Sequence, residues 1–285
     1  MVNFIANIKS GHGRGHKNVE KLLAYCLLHN IPYSLHITNR PGHATEIARL
    51  LTSNGEDVIA VGGDGTFHEV LNGVADPKHN AVGFIPSGRG NDFTRAAGFS
   101  LDPIAAFQDI LRGETAYIDY IQVGEFRCLN VAGTGLDIDV LERVAGRTGK
   151  LSYLRALLYC IRHFDPYKIE VAVNGETHAY ECIMAGVCNG VAIGGNIRIS
   201  PLSKIDDGKL DVIVMLMPPD GKLLKVLPGF VKGKHMDYPI TRHFVCDEVR
   251  ITSEKPIQLD GEIYRNLQLD CKIVAGGVKT YMIKR

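Results

Sequence analysis

No stretch of this 285-residue chain is apolar for long enough to cross a bilayer as a helix, which takes roughly 18–20 consecutive residues. The chain also has almost no net charge, +1 with histidine neutral. Nothing in that balance calls for nucleic acid, and neither an RNP-like sequence nor zinc-finger spacing is present. No C-x-x-C pair occurs. The seven cysteines (Cys26, Cys128, Cys160, Cys182, Cys188, Cys246, Cys271) lie far apart, mostly among apolar neighbours. An odd number without pairing spacing indicates reduced, packing thiols in a cytosolic protein, not disulfides or zinc. The eleven histidines include no H-E-x-x-H pair, which argues against a zinc enzyme. A G-x-S-x-G elbow is missing too, which argues against an α/β-hydrolase. The first residues enter a strand pattern at once, so no signal-peptide architecture is expected. No internal repeat stands out.

What is present is the composition of an ordinary globular protein, 45% hydrophobic and 22% charged. The length suits one large or two ordinary domains. The richest local signal is Val58-Ile59-Ala60-Val61-Gly62-Gly63-Asp64-Gly65-Thr66, where a short apolar strand empties into three glycines around one carboxylate. Glycine admits positive φ and lets a ligand approach the main chain without a Cβ in the way. Phosphate binds where such a turn points N–H groups at one spot and a helix begins. The helix here is expected from Phe67 onward, with Thr66 as N-cap and Glu69 at capping-box spacing. The bland reading is a tight turn with no ligand.

Two further junctions repeat the pattern. Ala81–Pro86 runs into Ser87-Gly88-Arg89-Gly90-Asn91-Asp92-Phe93, and Phe4–Asn7 runs into Ile8-Lys9-Ser10-Gly11-His12-Gly13-Arg14-Gly15. In an open α/β sheet ligands collect outside the carboxyl ends of the strands. Neither G-x-G-x-x-G nor G-x-x-x-x-G-K-[ST] fits these loops, so the implied nucleotide site is of another kind.

Up to about residue 116 apolar strands alternate with helical stretches: strands at Val2–Asn7, Tyr33–Ile37, Val58–Val61 and Ala81–Ile85, helices at Asn18–His29 and Ala44–Leu51. That alternation predicts βαβ units, a mainly parallel sheet and helices on both faces. Beyond Asp119 two helical stretches (Ile138–Ala145, Ser152–His163) interrupt strands and turns. Asn174-Gly175, Asp207-Gly208 and Asp260-Gly261 read as hairpin turns beside alternating runs such as Lys168–Val173 and Lys209–Met215. The second part therefore reads as an antiparallel, β-rich, sandwich-like domain. A cleft between two such domains is a natural place for catalysis.

These residues resemble the diacylglycerol kinase catalytic family, which includes soluble bacterial lipid kinases and the sphingosine and ceramide kinases. The resemblance rests on Asn7 to Gly11, on Gly62-Gly63-Asp64-Gly65-Thr66 with Glu69-Val70-Leu71-Asn72-Gly73, and on Gly88-Arg89-Gly90-Asn91-Asp92-Phe93. It continues through Ile205-Asp206-Asp207-Gly208-Lys209-Leu210-Asp211 and Leu259-Asp260-Gly261-Glu262, and so covers nearly the whole chain. The second motif is shared with NAD kinases; the third, at this distance from it, favours lipid kinases. The resemblance implies an α/β nucleotide-binding domain over 1–116 with a return over 277–285, and a β-rich lipid-substrate domain over 117–276.

Phosphoryl transfer needs a phosphate cradle, a divalent metal, an in-line hydroxyl and a proton acceptor. For ATP the resemblance implies contacts at Asn7, Gly11, Thr38, Gly62, Gly63, Asp64, Gly65, Thr66, Gly88, Arg89 and Asn91. Asp64 and Asp92 sit in the glycine loops and suit Mg²⁺, which takes a few carboxylates and keeps waters; Asp92 is equally a helix N-cap. Asp119 matches a family position in the metal's water network, and would otherwise read as a surface strand residue. Asp260 matches the family's catalytic aspartate in L-D-G-E and is the expected general base, although its residues alone read as a hairpin turn. Glu262 either orients it or is simply solvated. A structural Mg²⁺ is implied at Asp207 with the main-chain carbonyls of Lys204 and Lys209, against a turn without metal. Three departures stand out: Ile8 replaces the usual proline of the first motif, Arg89 replaces a small hydroxyl residue, and His68 replaces an asparagine common in bacterial members.

The expected activity is ATP- and Mg²⁺-dependent phosphorylation of a diacylglycerol-like or long-chain lipid by a cytoplasmic enzyme that visits the membrane surface. The alternatives are an NAD kinase and a catalytically silent nucleotide-binding regulator. A homodimer is expected by base rate. Between Arg143 and Lys168, six basic residues (Arg143, Arg147, Lys150, Arg155, Arg162, Lys168) interleave with Leu151, Tyr153, Leu154, Leu157, Leu158, Tyr159 and Phe164. That pattern reads either as an anionic-membrane docking helix or as an ordinary helix with solvated charges.

Overall fold

The alternation of apolar runs and helical spacing near the start folds as alternating strands and helices. A computed structural model describes residues 1–144, 150–195, 197–219 and 223–281. The chain divides into two units: Met1–Tyr120 with Ile205–Asp207 and the chain from Val274 on, and Ile121–Lys204 with Gly208–Ile273.

The first unit contains β1 (Val2–Ala6), α1 (Ser10–Leu28), β2 (Tyr33–Ile37), α2 (His43–Ser53), β3 (Val58–Gly62), α3 (Asp64–Gly73), β4 (Val82–Pro86), α4 (Asp92–Ala96) and α5 (Pro103–Leu111). Its strands run in the order β2-β1-β3-β4, all parallel. Strands β3 and β4 are buried along their whole length, as parallel strands covered on both faces must be. Phe4, Val61 and Ile85 from the sheet pack with Leu22 and Cys26 of α1 and Phe107 of α5.

Strand β5 (Thr115–Val123) carries the chain into the second unit, which continues with β6 (Phe126–Cys128), β7 (Val131–Gly135), α6 (Leu136–Val144), α7 (Lys150–Arg162), β8 (Tyr167–Val173), β9 (Glu176–Cys188), β10 (Leu210–Leu216), α8 (Leu223–Val231), β11 (Thr241–Cys246), β12 (Glu248–Ser253), β13 (Ile257–Leu259), β14 (Glu262–Tyr264) and β15 (Leu269–Tyr281). The pairings are antiparallel, in the order β14-β13-β7-β9-β8-β12-β15, with β10 on β9 and β11 on β10. Strand β8 alternates buried and exposed residues, and its inward Ile169, Val171 and Val173 join Val187, Val212, Val249, Ile251, Leu259 and Leu269 in one core. The end of β15 returns to the first unit and lies parallel to β4, Thr280 opposite Val82. The return expected over 277–285 is thus described as far as Tyr281; the rest lies outside the described residues.

The fold class read from the sequence is borne out, with local corrections. Helix α3 begins at Asp64 behind Gly63, so Thr66 lies in its first turn and is not the cap. Glu69 accepts the Ala44 N–H instead of closing a capping box. Asn91, not Asp92, holds the position before α4. Asp207-Gly208 is no hairpin: it lies in the connection between β9 and β10, whereas Asn174-Gly175 and Asp260-Gly261 do join paired strands. Asp119 is buried, not a surface residue. All seven cysteines are free and buried.

Arg147 and the side chains of Lys150, Leu151, Tyr153 and Leu154 lie outside the described residues. Of the rest, Ile161 and Phe164 join a core cluster with Leu157 packed against it, while Arg155, Arg162 and Lys168 are exposed. Among the described residues no helix is long and apolar enough to cross a membrane.

Candidate functional site

In the first unit three loops follow the carboxyl ends of β1, β3 and β4, and their glycines let them touch. After β1, Gly11, His12 and Gly13 all take left-handed backbone, so regular helix starts beyond them. A Cβ on Gly11 would sit 2.1 Å from the Ser87 carbonyl oxygen. After β3, Gly62 O accepts the N–H groups of Ser87 (2.6 Å) and Gly88 (3.2 Å). A Cβ on Gly88 would stand 2.5 Å from the Gly63 Cα. Main chain thus runs against main chain where only glycine fits.

Polar side chains lock this contact. Asp64 Oδ2 accepts the Asn91 N–H and Oδ1 the Asp92 N–H, both at 2.8 Å. Asn91, held at φ 50, accepts the Gly88 N–H on Oδ1 at 2.9 Å and donates to Gly88 O at 3.1 Å. Two residues with no motif of their own complete the seam: Asn18 donates to Pro86 O and Ser87 Oγ, and Arg14 to Gly88 O at 2.9 Å. Both sit on α1, whose helical spacing marks its apolar face only.

Burial pushes the Asp64 carboxyl up to about 6, with the neighbouring Asp92 charge adding to it and the Asn91 and Asp92 N–H groups opposing. Two carboxylates are therefore held close in a poorly hydrated turn at the start of a helix. Asn7 Oδ1 accepts the Lys9 N–H at the end of β1, and Thr38 lies beside it, its N–H and hydroxyl both directed at Ala6 O. Asn7, Gly11, Thr38, Gly62 to Thr66 and Gly88 to Asp92 are thus gathered at one end of four parallel strands. Arg89 is exposed on that rim.

Asp119 is fixed elsewhere in the first unit: Oδ1 accepts the Gly276 N–H at 2.7 Å and its own N–H donates to Ile205 O at 2.7 Å. Asp207, Lys204 and Lys209 are all exposed; Lys209 Nζ pairs with Asp247 at 2.7 Å.

In the second unit Asp260 occupies the first corner of the β13–β14 hairpin, with φ 51 followed by Gly261 at φ 92. Two successive left-handed residues are what a two-residue hairpin requires and what Asp-Gly supplies. Its carboxylate reaches the turn before β7: Oδ1 accepts the N–H groups of Asn130 (2.8 Å) and Val131 (3.3 Å) and the Cys128 thiol (3.2 Å), and Oδ2 accepts the Leu129 N–H (2.9 Å). Burial first, and then the Asp260 charge, push the Cys128 thiol well up, so it stays protonated and donates. Glu262 is exposed.

Asp137 was not singled out in the sequence, although Val131–Gly135 running into α6 is a fourth strand-to-glycine-to-helix junction. Burial pushes its carboxyl up to about 6, opposed by the N–H groups of Ile138 and Asp137 itself and by the Gln258 amide. Neither carboxylate oxygen makes a hydrogen bond of good geometry among the described residues.

Residues 1–123 match the family model of the diacylglycerol kinase catalytic domain, and residues 130–281 that of the YegS C-terminal NAD kinase beta sandwich-like domain. A diacylglycerol kinase of Bacillus subtilis (strain 168) is 29% identical over 239 residues, which is 80% of this chain and 78% of that protein. A crystal structure of a diacylglycerol kinase from Bacillus anthracis str. Sterne superposes with a TM-score of 0.78 at 24% identity, covering 99% of this chain and 96% of that one. An NAD kinase from Archaeoglobus fulgidus in complex with ATP shares the fold at a TM-score of 0.53 and 13% identity, covering 99% and 94%.

Proposed function

The chain belongs to the diacylglycerol kinase catalytic family, and from that premise we propose that it transfers the γ-phosphoryl group of ATP to a hydroxyl of a diacylglycerol-like or long-chain lipid. The observation that carries this reading is the seam in the first unit, where three glycine loops at the ends of parallel strands meet and Asp64 ties two of them together. Backbone N–H groups there form a cradle for phosphates without a lysine-bearing P-loop. ATP is assigned to that cradle, with Arg89 on its rim.

Asp64 and Asp92 would hold Mg²⁺. The fit rests on their electrostatics: burial and mutual repulsion oppose the second negative charge, and a divalent cation removes that opposition. When bound, Mg²⁺ neutralises charge on the phosphates.

Asp260 is assigned as the group that takes the proton of the acceptor hydroxyl. The N–H groups and the thiol around it fix its two oxygens in place, which orients the base. The same donors stabilise its charge, and its role as base rests on its placement. The second unit is assigned the lipid, in a peripheral enzyme of phospholipid biosynthesis.

The test is transfer of label from γ-labelled ATP to a panel of diacylglycerol, monoacylglycerol, sphingosine and polyprenol, run beside NAD. Label in a lipid product, dependent on Mg²⁺, is expected. Label on NAD with none in lipid would make the chain an NAD kinase, and no ATP consumption with any acceptor would make it a silent nucleotide binder.

A further inference from the structure

Gln258 lies two residues before Asp260 on β13 and is only 2% exposed. An apolar side chain of that size would fill the same space without the desolvation cost of an amide. Its Oε1 accepts the Gly261 N–H at 2.7 Å, inside the turn that carries Asp260. That bond fixes which end of the amide is which, because an N–H must meet oxygen. The Nε2 end then faces Gly133, its partner across β7 and β13. A Cβ on Gly133 would lie 3.1 Å from Gln258 Nε2 and 3.3 Å from Asp137 Oδ2. Gly133 thus leaves the space in which the amide and the carboxylate approach each other. Gly261 demands the oxygen, so a flip of the amide would break this bond.

We infer that Gln258 is a positioning residue for Asp260. It pins the Asp260-Gly261 turn from inside the sheet while the turn's other side is held by the Asp260 N–H bond to Val131 O at 3.0 Å. The inference rests on the assignment of Asp260 as the base. Displacing a reacting group by a fraction of an ångström lowers the rate without weakening nucleotide binding.

The experiment measures kcat and the KM for ATP, with whichever lipid of the panel accepts label, for Gln258→Leu, Gln258→Glu and the double variant Gln258→Glu, Asp137→Asn. Hydrogen exchange of the peptide spanning residues 257–262 is followed alongside. Gln258→Leu is expected to lower kcat about tenfold or more, with KM for ATP within about twofold and faster exchange in the turn. Gln258→Glu still accepts from Gly261 but opposes Asp137 with like charge, so kcat falls at pH 8. The double variant exchanges the acid and the amide, restores the complementary pair and regains most of the lost kcat. A residue that merely packs would leave kcat unchanged in Gln258→Leu, and that result overturns the inference. So does a double variant no better than Gln258→Glu, which decides the matter if Gln258→Leu does not fold. If Asp260→Asn keeps full turnover, or no lipid accepts label, it is the underlying assignment that fails. If Asp260→Asn is inactive and Gln258→Leu is not, only the positioning role fails.

Discussion

Asp64 Oδ2 accepts the backbone N–H of Asn91 at 2.8 Å, so the carboxylate of one glycine loop fixes the shape of the next. With the matching bond from Asp92, this one side chain satisfies two N–H groups at the start of α4. The proposed metal ligand therefore also sets the shape of the neighbouring loop.

Asp64→Ala removes both acceptors at once. A buried donor left without a partner costs about 1–3 kcal/mol, so the variant is expected to be measurably less stable in urea. It is also expected to bind Mg²⁺–ATP more weakly in a calorimetric titration. Unchanged metal dependence with only a stability loss would leave Asp64 as a clamp and remove it from the metal site.

Gly88→Ala should damage nucleotide binding more than stability. Its Cβ would stand 2.5 Å from the Gly63 Cα, and main chain cannot rotate away as a side chain can. The two loops must part, which disturbs the cradle while the strands behind it stay paired. ATP affinity is expected to fall at least about tenfold, as for other losses of preorganised contacts. Wild-type affinity in the folded variant would place the phosphates elsewhere.

Asp137 gives a pH-dependent prediction for stability. Its folded carboxyl takes up a proton at about 6, against an ordinary value of 3.8. Because the folded value is raised, wild-type stability falls as pH rises from about 4 through 6, and the full penalty is present above that. Asp139 adds repulsion, the half-buried Tyr167 and the buried Cys188 lie within electrostatic reach, and Gln258 opposes the rise. Asp137→Asn is therefore expected to be more stable than wild type at pH 8 by about 2–3 kcal/mol. The gain should vanish below about pH 4. A variant less stable at pH 8 would mean that the charge has a strong partner.

A membrane docking role for α7 would be mainly electrostatic, because Ile161 and Phe164 are buried in the core of the unit while Arg155 and Arg162 are exposed. Each basic group near an anionic bilayer contributes about 1 kcal/mol. The double variant Arg155→Glu, Arg162→Glu should therefore bind phosphatidylserine vesicles about tenfold less well or worse, with the difference disappearing at high salt. Equal co-sedimentation at low salt would assign docking to another surface.

How much of this was legible in the sequence depends on the range of the interactions. Strand-to-glycine junctions are local, so the parallel sheet, the loops and their crowding at one end could be read from Val58–Thr66 and Ala81–Phe93. Antiparallel hairpins were legible where a two-residue turn joined paired strands, at Asn174-Gly175 and Asp260-Gly261, but not at Asp207-Gly208, where the same dipeptide ends a long connection. The cap at Thr66 was misplaced because Gly63 begins the helix with no side-chain cap, and sequence heuristics look for a hydroxyl or carboxylate. Contacts between residues distant in sequence left no trace: Asp260 with the Leu129–Val131 N–H groups, Asn18 with Ser87, Gln258 with Gly133. Those depend on register across strands, which composition does not encode.

Asp260 is the proposed proton acceptor in transfer from ATP to lipid, and the variant that isolates this role is Asp260→Asn. The amide keeps the size of the side chain but cannot take the proton, and losing a general base lowers the rate about 10²–10⁴-fold. Label transfer from γ-labelled ATP to lipid is measured for wild type and variant side by side, with ATP binding as a control. Lipid labelling that falls by that factor in a folded variant with wild-type ATP affinity is the predicted result. Equal labelling by the two proteins would contradict it.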